Sequence, residues 1–182
     1  MVEYLSCCRG GSWPVSAGLC SSFIASAFIC SEAWDRVRFI QTMSAENKIL
    51  VRRWFEEVWN QQKKESIAKM FAADGQAHGL ASDGGPLRGP QAFEAFHHAF
   101  LSAFPDLKVE VEDVIAEGDK VAIRWRASGT LRGDGLGVKP TGRSMAITGI
   151  SMVRVRDGLI VDGWNNFDVL GMHRQVGTLS QL

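Results

Sequence analysis

The sequence is poor in several residue types that active sites commonly use. Its four cysteines all lie within the first thirty residues, at Cys7, Cys8, Cys20 and Cys30. From Met43 to the end there is none, which excludes a disulfide framework, a thiol nucleophile and a cysteine-ligated metal from that part of the chain. The single tyrosine, Tyr4, also precedes Met43.

The chain also lacks an excess of charge and a long apolar run. Twenty basic residues balance twenty acidic ones, and no cluster of Lys and Arg forms a phosphate-binding stripe, so neither nucleic acid nor a membrane surface is an expected partner. The apolar stretch "VSAGLCSSFIASAFIC" is too short and too polar to span a bilayer. A composition of 46% hydrophobic and 22% charged residues is typical of one soluble globular domain, here expected in the cytoplasm.

Residues 1–42 differ in character from the rest. They do not make a convincing secretory signal, because only Arg9 precedes the apolar stretch and Glu3 offsets its charge. We interpret 1–42 as a disordered extension or a mis-assigned start, and 43–182 as the functional domain. Ser44 is a suitable helix N-cap, with Glu46 in the first helical turn.

From Met43 onward the pattern predicts helices first and strands afterwards. Apolar residues at helical spacing predict helices over 45–61, in "ESIAKMFA", and from Gly89-Pro90 to just before Pro105, with a short strand at "QAHGL". Alternation then predicts four long strands joined by Gly/Asp turns. This is the α+β pattern: a curved, mostly antiparallel sheet wrapped on N-terminal helices as a cone with an interior. Its outer face predicts a homodimer or higher homo-oligomer.

Asp168, in "GWNNFDVLG", is the main candidate for chemistry. Strict alternation places Ile160, Trp164, Asn166 and Asp168 on one face of the last strand. On the pocket floor, this carboxylate would transfer protons, while Trp164 formed a wall and Asn166 donated a hydrogen bond to a substrate oxygen. The alternative is that Asp168 simply caps a terminal helix, "VLGMHRQV".

Other candidates surround the same predicted interior. His78 ends a strand beside a glycine-rich loop, so it is a second candidate for catalysis, although a structural role is common for such a histidine. His97 and Phe100 share the inward face of the third helix, and Trp125 belongs to the core or the pocket wall. No spacing of His, Asp and Glu resembles a metal site. The loop "RGDGLGVKPTGR" lacks a phosphate-binding ending and could instead cover a pocket.

Several segments together resemble the SnoaL-like polyketide cyclases, or ester cyclases, of the nuclear transport factor two-like superfamily. They are "FPDLKVEVEDVIAEGDKVAIRW", "GVKPTGR", "ISMVRVRDGLIVDGWNNFDVLGM" and "QVG". The resemblance runs from about Glu46 to Gly177 and implies a ring-closing enzyme of the lyase or isomerase type, without metal or cofactor. It implies a polyketide-like carbonyl substrate in a hydrophobic pocket, with Asp168 as acid/base and His78 as a second catalytic residue.

Two departures limit what the resemblance implies. Many relatives have a histidine where this chain has Leu131, which favours a different substrate or a non-catalytic module that binds a small apolar molecule or dimerises. Ketosteroid isomerase, a member of the same superfamily that pairs an aspartate base with a tyrosine-containing oxyanion hole, is a weak match because the only tyrosine is Tyr4.

Overall fold

The computed structural model describes residues 21–81 and 84–179, with side chains from residue 37 onward. The chain divides into two units, Met1–Arg38 and Phe39–Leu182, and the site discussed below lies in the second. Within the described residues, no helix combines the length and the hydropathy that crossing a bilayer requires. Residues 1–20 lie outside the described part, so the interpretation of 1–42 as a disordered or mis-assigned leader stays a prediction.

Helix α1 is Ser21–Trp54 and continues as a π-helical segment, Phe55–Asn60. The end of the predicted first helix is therefore right, but the N-cap at Ser44 is wrong. No glycine or proline separates Ser21 from Ser44, so nothing in the backbone stops the helix upstream of Met43. Ser44 lies inside the helix and is buried.

The remaining helices are α2, Glu65–Met70, α3, Gly89–Ala103, and α4, Val169–Val176. Helix α3 begins as predicted, because Pro90 in its first turn has no N–H to leave unsatisfied. Helix α2 ends at Met70, two residues before the end of the predicted segment "ESIAKMFA". The chain is already extended at Phe71, and Gly75 lies within the following strand.

The strands are β1, Phe71–His78; β2, Leu87–Arg88; β3, Lys108–Glu117; β4, Lys120–Thr130; β5, Ser144–Arg156; and β6, Leu159–Phe167. They form one sheet of order β2-β1-β6-β5-β4-β3, in which only β1 and β6 are parallel. The predicted α+β architecture with a mostly antiparallel sheet is confirmed. The β5–β6 hairpin turns at Asp157-Gly158, both with positive φ, as a tight Asp-Gly turn requires.

The inner face of the sheet meets the helices in one apolar core. Alternate residues of β4, from Val121 to Ala127, and of β5, from Met145 to Val155, are buried. They pack with Val51, Val58 and the α3 residue Phe93. This two-layer arrangement places the candidate site between the helices and the inner sheet face.

Candidate active site

A cavity of about 800 Å³, its open mouth included, lies between the helices and the inner face of the sheet. Its wall is mostly apolar and rich in aromatic rings, among them Trp54, Phe55, Trp59, Phe93, Phe100 and Trp125. Among the described residues that line it there is no Asp, Glu, His, Lys or Arg. The wall is therefore apolar and without charge.

The π-helical segment after α1 supplies one side of this wall. In a π-helix the hydrogen bonds run over five residues, so residues five apart come nearly onto one face. Trp54 and Trp59 have this spacing, and both line the cavity together with Phe55. The wider turn therefore lets one short segment present three aromatic rings to the same space.

Polar side chains occur at only one place on the described wall, where Ser151 of β5 and Asn165 of β6 are neighbours. The two residues are paired across the strands. The Ser151 hydroxyl donates to Asn165 Oδ1 at 2.8 Å and accepts from Trp125 Nε1 at 3.0 Å. Asn165 Nδ2 donates to the backbone carbonyl of His78 at 3.1 Å. We call these four groups the polar chain.

The ring of Trp125, the first member of the polar chain, packs over a glycine of the neighbouring strand. A Cβ on Gly149, its cross-strand neighbour, would overlap the six-membered part of the indole. The absence of a side chain at Gly149 therefore lets the ring lie flat across β5 with its Nε1 directed at Ser151.

The predicted face assignment of β6 is wrong, and a bulge is the reason. Arg154 pairs with Asp162 but Val155 pairs with Ile160, so Val161 is an extra residue in β6. Beyond it the parity is reversed. Gly163, Asn165 and Phe167 line the cavity, whereas Trp164 and Asn166 face the other way.

Asp168 lies just beyond this strand and is exposed. Its carboxylate accepts a hydrogen bond from the N–H of Gly171 at 2.7 Å, which makes it the N-cap of α4. A Cβ on Gly171 would overlap that carboxylate, so the glycine provides its space. The capping alternative raised from the sequence is thus the arrangement observed, and Asp168 does not line the cavity.

His78 also lies outside the cavity, on the outer face of the sheet. Its ring stacks on Trp164 at 5.6 Å and 6°, and its Nε2 lies 3.8 Å from Asp162 Oδ1. Asp162 is buried and accepts from Arg154 Nε at 2.9 Å, a hydrogen bond that raises the pKa of Arg154. On the cavity side, His78 contributes only its backbone carbonyl oxygen, which accepts a hydrogen bond from Asn165 Nδ2.

His97 lies in the core beside Trp59 and does not line the cavity. Its Nε2 is 2.7 Å from the carbonyl oxygen of Val58, so Nε2 carries the hydrogen. Burial lowers the pKa of His97, which keeps the ring neutral at pH 7. Of the predicted substrate-contacting residues, Trp125 and Phe100 do lie in the wall.

Comparisons with known proteins match this arrangement. The model of the SnoaL-like polyketide cyclase family matches residues 49–176. The chain is 31% identical over 130 residues to an aklanonic acid methyl ester cyclase from Streptomyces peucetius, covering 70% of this chain and 88% of that one. The chain belongs to the SnoaL-like polyketide cyclase family.

Solved structures agree with this assignment of the SnoaL-like domain. IdmH from Streptomyces antibioticus, provisionally assigned as a polyketide cyclase, is 33% identical with a TM-score of 0.64, over 72% of this chain and 98% of that chain. A Catenulispora acidiphila protein with a ketosteroid isomerase-like fold gives a TM-score of 0.62 at 17% identity, over 73% and 95% of the two chains. The second match shows the fold alone, and both are consistent with the predicted cone.

Leu131 contributes to the core of the SnoaL-like domain. It is fully buried and does not line the cavity. The loop that follows it packs on the end of α3, where Arg132 N–H donates to the carbonyl of Ala103 at 2.9 Å. No residue between 131 and 143 lines the cavity, so the predicted covering role is not seen. Among the described residues, no group of three or more His, Cys, Asp or Glu could hold a metal.

Sequence reasoning missed the polar residues of the wall in this SnoaL-like domain. Strict alternation predicts that Asn166 faces the cavity and Asn165 faces away, but the bulge at Val161 reverses both. Ser151 gave a signal that can be recognised in retrospect. It is the one residue with a hydroxyl group among the inward positions of β5, and a buried hydroxyl requires a hydrogen-bond partner.

Proposed function

We propose that the SnoaL-like domain is a cofactor-independent cyclase that binds a polyketide-like carbonyl substrate in the apolar cavity and closes a ring in it by intramolecular aldol-type condensation. The observation that carries the proposal is the cavity itself, which is aromatic and uncharged, with one patch of neutral hydrogen-bonding groups. Trp125 and Phe100 contact the substrate from the wall. The 31% identity to aklanonic acid methyl ester cyclases supports this class of reaction.

The reaction moves one proton and forms one carbon–carbon bond. A base takes a proton from a carbon between two carbonyl groups, and the resulting enolate carbon attacks a ketone carbon of the same molecule. The ketone oxygen becomes a hydroxyl by receiving the proton back, so substrate and product are isomers. An enclosed wall that folds the chain favours this step, because proximity alone can lower such a barrier by about 7 kcal/mol or more.

Asp168 is our proposed acid/base in this reaction. The described cavity wall has no ionisable group, so a proton must be handled by a residue at its edge. Asp168 directly follows Phe167, which lines the cavity. To act as the base, its carboxylate would give up the hydrogen bond from the N–H of Gly171 and contact the substrate instead. Trp164, Asn166 and the His78 side chain lie on the outer face of the sheet, and His97 is buried in the core with its Nε2 on the Val58 carbonyl, so none of them is given a role in this proposal.

A second candidate function is favoured by one specific contact. The Asp168 carboxylate is already engaged as the cap of α4, which a purely structural aspartate would be. The domain would then bind a small apolar carbonyl compound without transforming it.

Two variants of Asp168 separate these functions. Asparagine caps a helix about as well as aspartate but cannot take up a proton, whereas alanine loses both properties. We expect wild-type protein to convert aklanonic acid methyl ester, the substrate in the name of the relatives, and Asp168→Asn to bind it with unchanged affinity but lose turnover. Chromatography of the product and calorimetry of binding measure the two effects. Full turnover by Asp168→Asn would remove Asp168 from the mechanism, and binding without turnover by wild type would establish the binder.

We propose further that the outer sheet face pairs with a second copy of the chain. Cross-strand neighbours form one row across it: Ile115, Ala122, Met152, Trp164 and His78. Ile115 and Met152 are exposed, and two arginines beside the row are ion-paired, Arg124 with Asp113 and Arg154 with Asp162. Such a nearly neutral apolar row suits a like surface. Sedimentation of wild type should show a dimer that Met152→Lys dissociates, and a monomeric wild type would end this proposal.

A further inference from the structure

We propose that Asn165 is the residue that recognises the ligand's carbonyl group, donating one hydrogen bond to a single ketone or enolate oxygen, and that Ser151 and Trp125 are positioning residues that hold its amide. This inference rests on the proposed function in that it names the group on the wall that meets the reacting oxygen. It concerns Asn165, which faces the cavity, and not Asn166, which is exposed on the other face.

The direction of every hydrogen bond in the polar chain is fixed by its two ends. Trp125 Nε1 can only donate, so Ser151 Oγ accepts from it and must direct its own hydrogen elsewhere. The backbone carbonyl of His78 can only accept, so the group facing it is the NH₂ of Asn165. Asn165 Oδ1 therefore faces Ser151 and accepts its hydrogen. No flipped amide satisfies both ends.

This fixed direction leaves one amide hydrogen for a ligand. Asn165 Nδ2 carries two hydrogens, of which one is donated to His78, and no second acceptor for it occurs among the described residues. The Ser151 hydrogen is already used. The Trp125 hydrogen is used as well. Within the described wall, the remaining amide hydrogen is thus the one side-chain donor not already engaged.

Space for an oxygen atom exists beside this hydrogen. Asn165 is only half-buried, and the neighbouring inward position on β6 is Gly163. A Cβ placed on Gly163 would lie 3.9 Å from Asn165 Nδ2 and would meet no other atom closer than that. The missing side chain leaves open wall beside the amide.

The chemistry of the site makes this donor useful. An enolate or alkoxide gains negative charge as the ring closes, and a fixed donor in a dry cavity stabilises that charge more than the neutral ketone. The amide is also polarised, since Oδ1 accepts from Ser151 while Nδ2 donates. With no charged group in the described wall, nothing else there can serve the oxygen.

Fluorenone and fluorene test the inference without depending on turnover, because they share one tricyclic framework and differ by one ketone. With the full chain, calorimetry should show fluorenone binding wild type about five- to tenfold more tightly than fluorene, the range expected for one net hydrogen bond. Asn165→Leu should remove this preference. Asn166→Leu, the same change one residue away on the outer face, should keep it. Ser151→Ala should reduce the preference, and Ser151→Thr, which restores a hydroxyl, should recover it.

Infrared spectroscopy of bound fluorenone, labelled with carbon-13 at the ketone, keeps the test decisive even if a variant fails to fold. In wild type the ketone band should lie below its frequency in an apolar solvent, as a hydrogen-bonded carbonyl requires, and Asn165→Leu should abolish that shift. An unshifted band in wild type, equal affinity for the two compounds, or a preference that persists in Asn165→Leu each overturns the inference while leaving the cyclase proposal standing. Failure of wild type to bind either compound would also overturn the inference, whereas the cyclase proposal is decided separately by turnover of aklanonic acid methyl ester.

Discussion

The two faces of the six-stranded sheet carry opposite chemistry although they come from alternating residues of the same strands. On β5 the inward residues Ser151 and Val153 are buried beside the cavity, while Met152 and Arg154 between and after them point outward. The inner face has no ionisable group among the described wall residues, and its polar groups are neutral and hydrogen-bonded to one another. The outer face carries charges in ion pairs, such as Arg154 with Asp162.

This difference bears on the carbonyl chemistry that we propose for the cavity. A charge on the inner face would have to be removed from water without a partner, which costs several kcal/mol, whereas a neutral amide with its bonds satisfied costs little. The inner face can therefore orient an oxygen but cannot itself take up a proton. In the proposed reaction, the proton would therefore be transferred by a group at an edge, such as the end of β6.

A lysine on each face gives the strongest test of the comparison. Val153→Lys places an unpaired ammonium group against the apolar core, so we expect a loss of about 3 kcal/mol or more in the free energy of unfolding. Met152→Lys, one residue away on the outer face, should cost well under 1 kcal/mol in that free energy after correction for protein concentration. Urea titration measures both. Similar losses for the two variants would contradict the difference between the faces.

A pair of glycines tests how closely the inner face is packed. Gly149→Ala drives a methyl group into the Trp125 ring and should destabilise the fold by about 2 kcal/mol, a usual cost of overpacking. Gly163→Ala meets nothing nearer than 3.9 Å and should leave the free energy of unfolding within about 0.5 kcal/mol of wild type. The same urea titration applies. If Gly149→Ala left the free energy of unfolding unchanged, the Trp125 ring would not pack as closely on Gly149 as the structure shows.

At the edge between the faces, substitutions of Asp168 distinguish what its helix cap contributes to the free energy of unfolding from what its charge contributes. Asp168→Ala should lower the free energy of unfolding by about 1 kcal/mol, because the N–H of Gly171 loses its acceptor. Asp168→Asn should retain most of that stability, since asparagine caps equally well. Thermal unfolding monitored by circular dichroism resolves the two. If the asparagine variant lost as much as the alanine variant, the carboxylate charge rather than the cap would be responsible.

The smallest expected effect is the change in the stability of the fold with pH that arises from His97, on the helix side of the core. Burial lowers the pKa of folded His97, so as pH falls below about 6.5 the unfolded chain takes up a proton that the folded chain does not. Stability is therefore fully present above that pH and decreases as pH falls from there towards the folded pKa. His97→Gln can still donate to the Val58 carbonyl and should flatten this dependence. His173 shifts in the same direction but is present in both proteins, so it cancels. Parallel stability curves for the two proteins would exclude this role for His97.

Much of the fold could be predicted because the local signals were strong. Pro90 marks the start of α3, and Asp157-Gly158 marks a two-residue turn whose positive φ angles few other pairs allow. The four long strands follow from alternation alone. The start of α1 could not be found, since a favourable N-cap residue such as Ser44 does not stop a helix that has no breaker before it.

The site was less predictable because one extra residue decides it. Val161 reverses the parity of everything after it in β6, so Asn165 faces the cavity in place of Asn166. A bulge of this kind has no clear signature in the sequence. It is visible only in the structure, where four consecutive residues from Ile160 to Gly163 are buried. The apolar wall, by contrast, was foreseen in part through Phe100 and Trp125.

The aromatic wall also has an optical consequence. Three of the four tryptophans whose side chains the structure describes, Trp54, Trp59 and Trp125, line the cavity. An indole's emission wavelength and intensity depend on its surroundings, so a molecule that displaces water from this space will change the fluorescence of these three indoles at once. The protein therefore carries its own reporter, and a library of carbonyl compounds can be screened against it in a plate reader without a label.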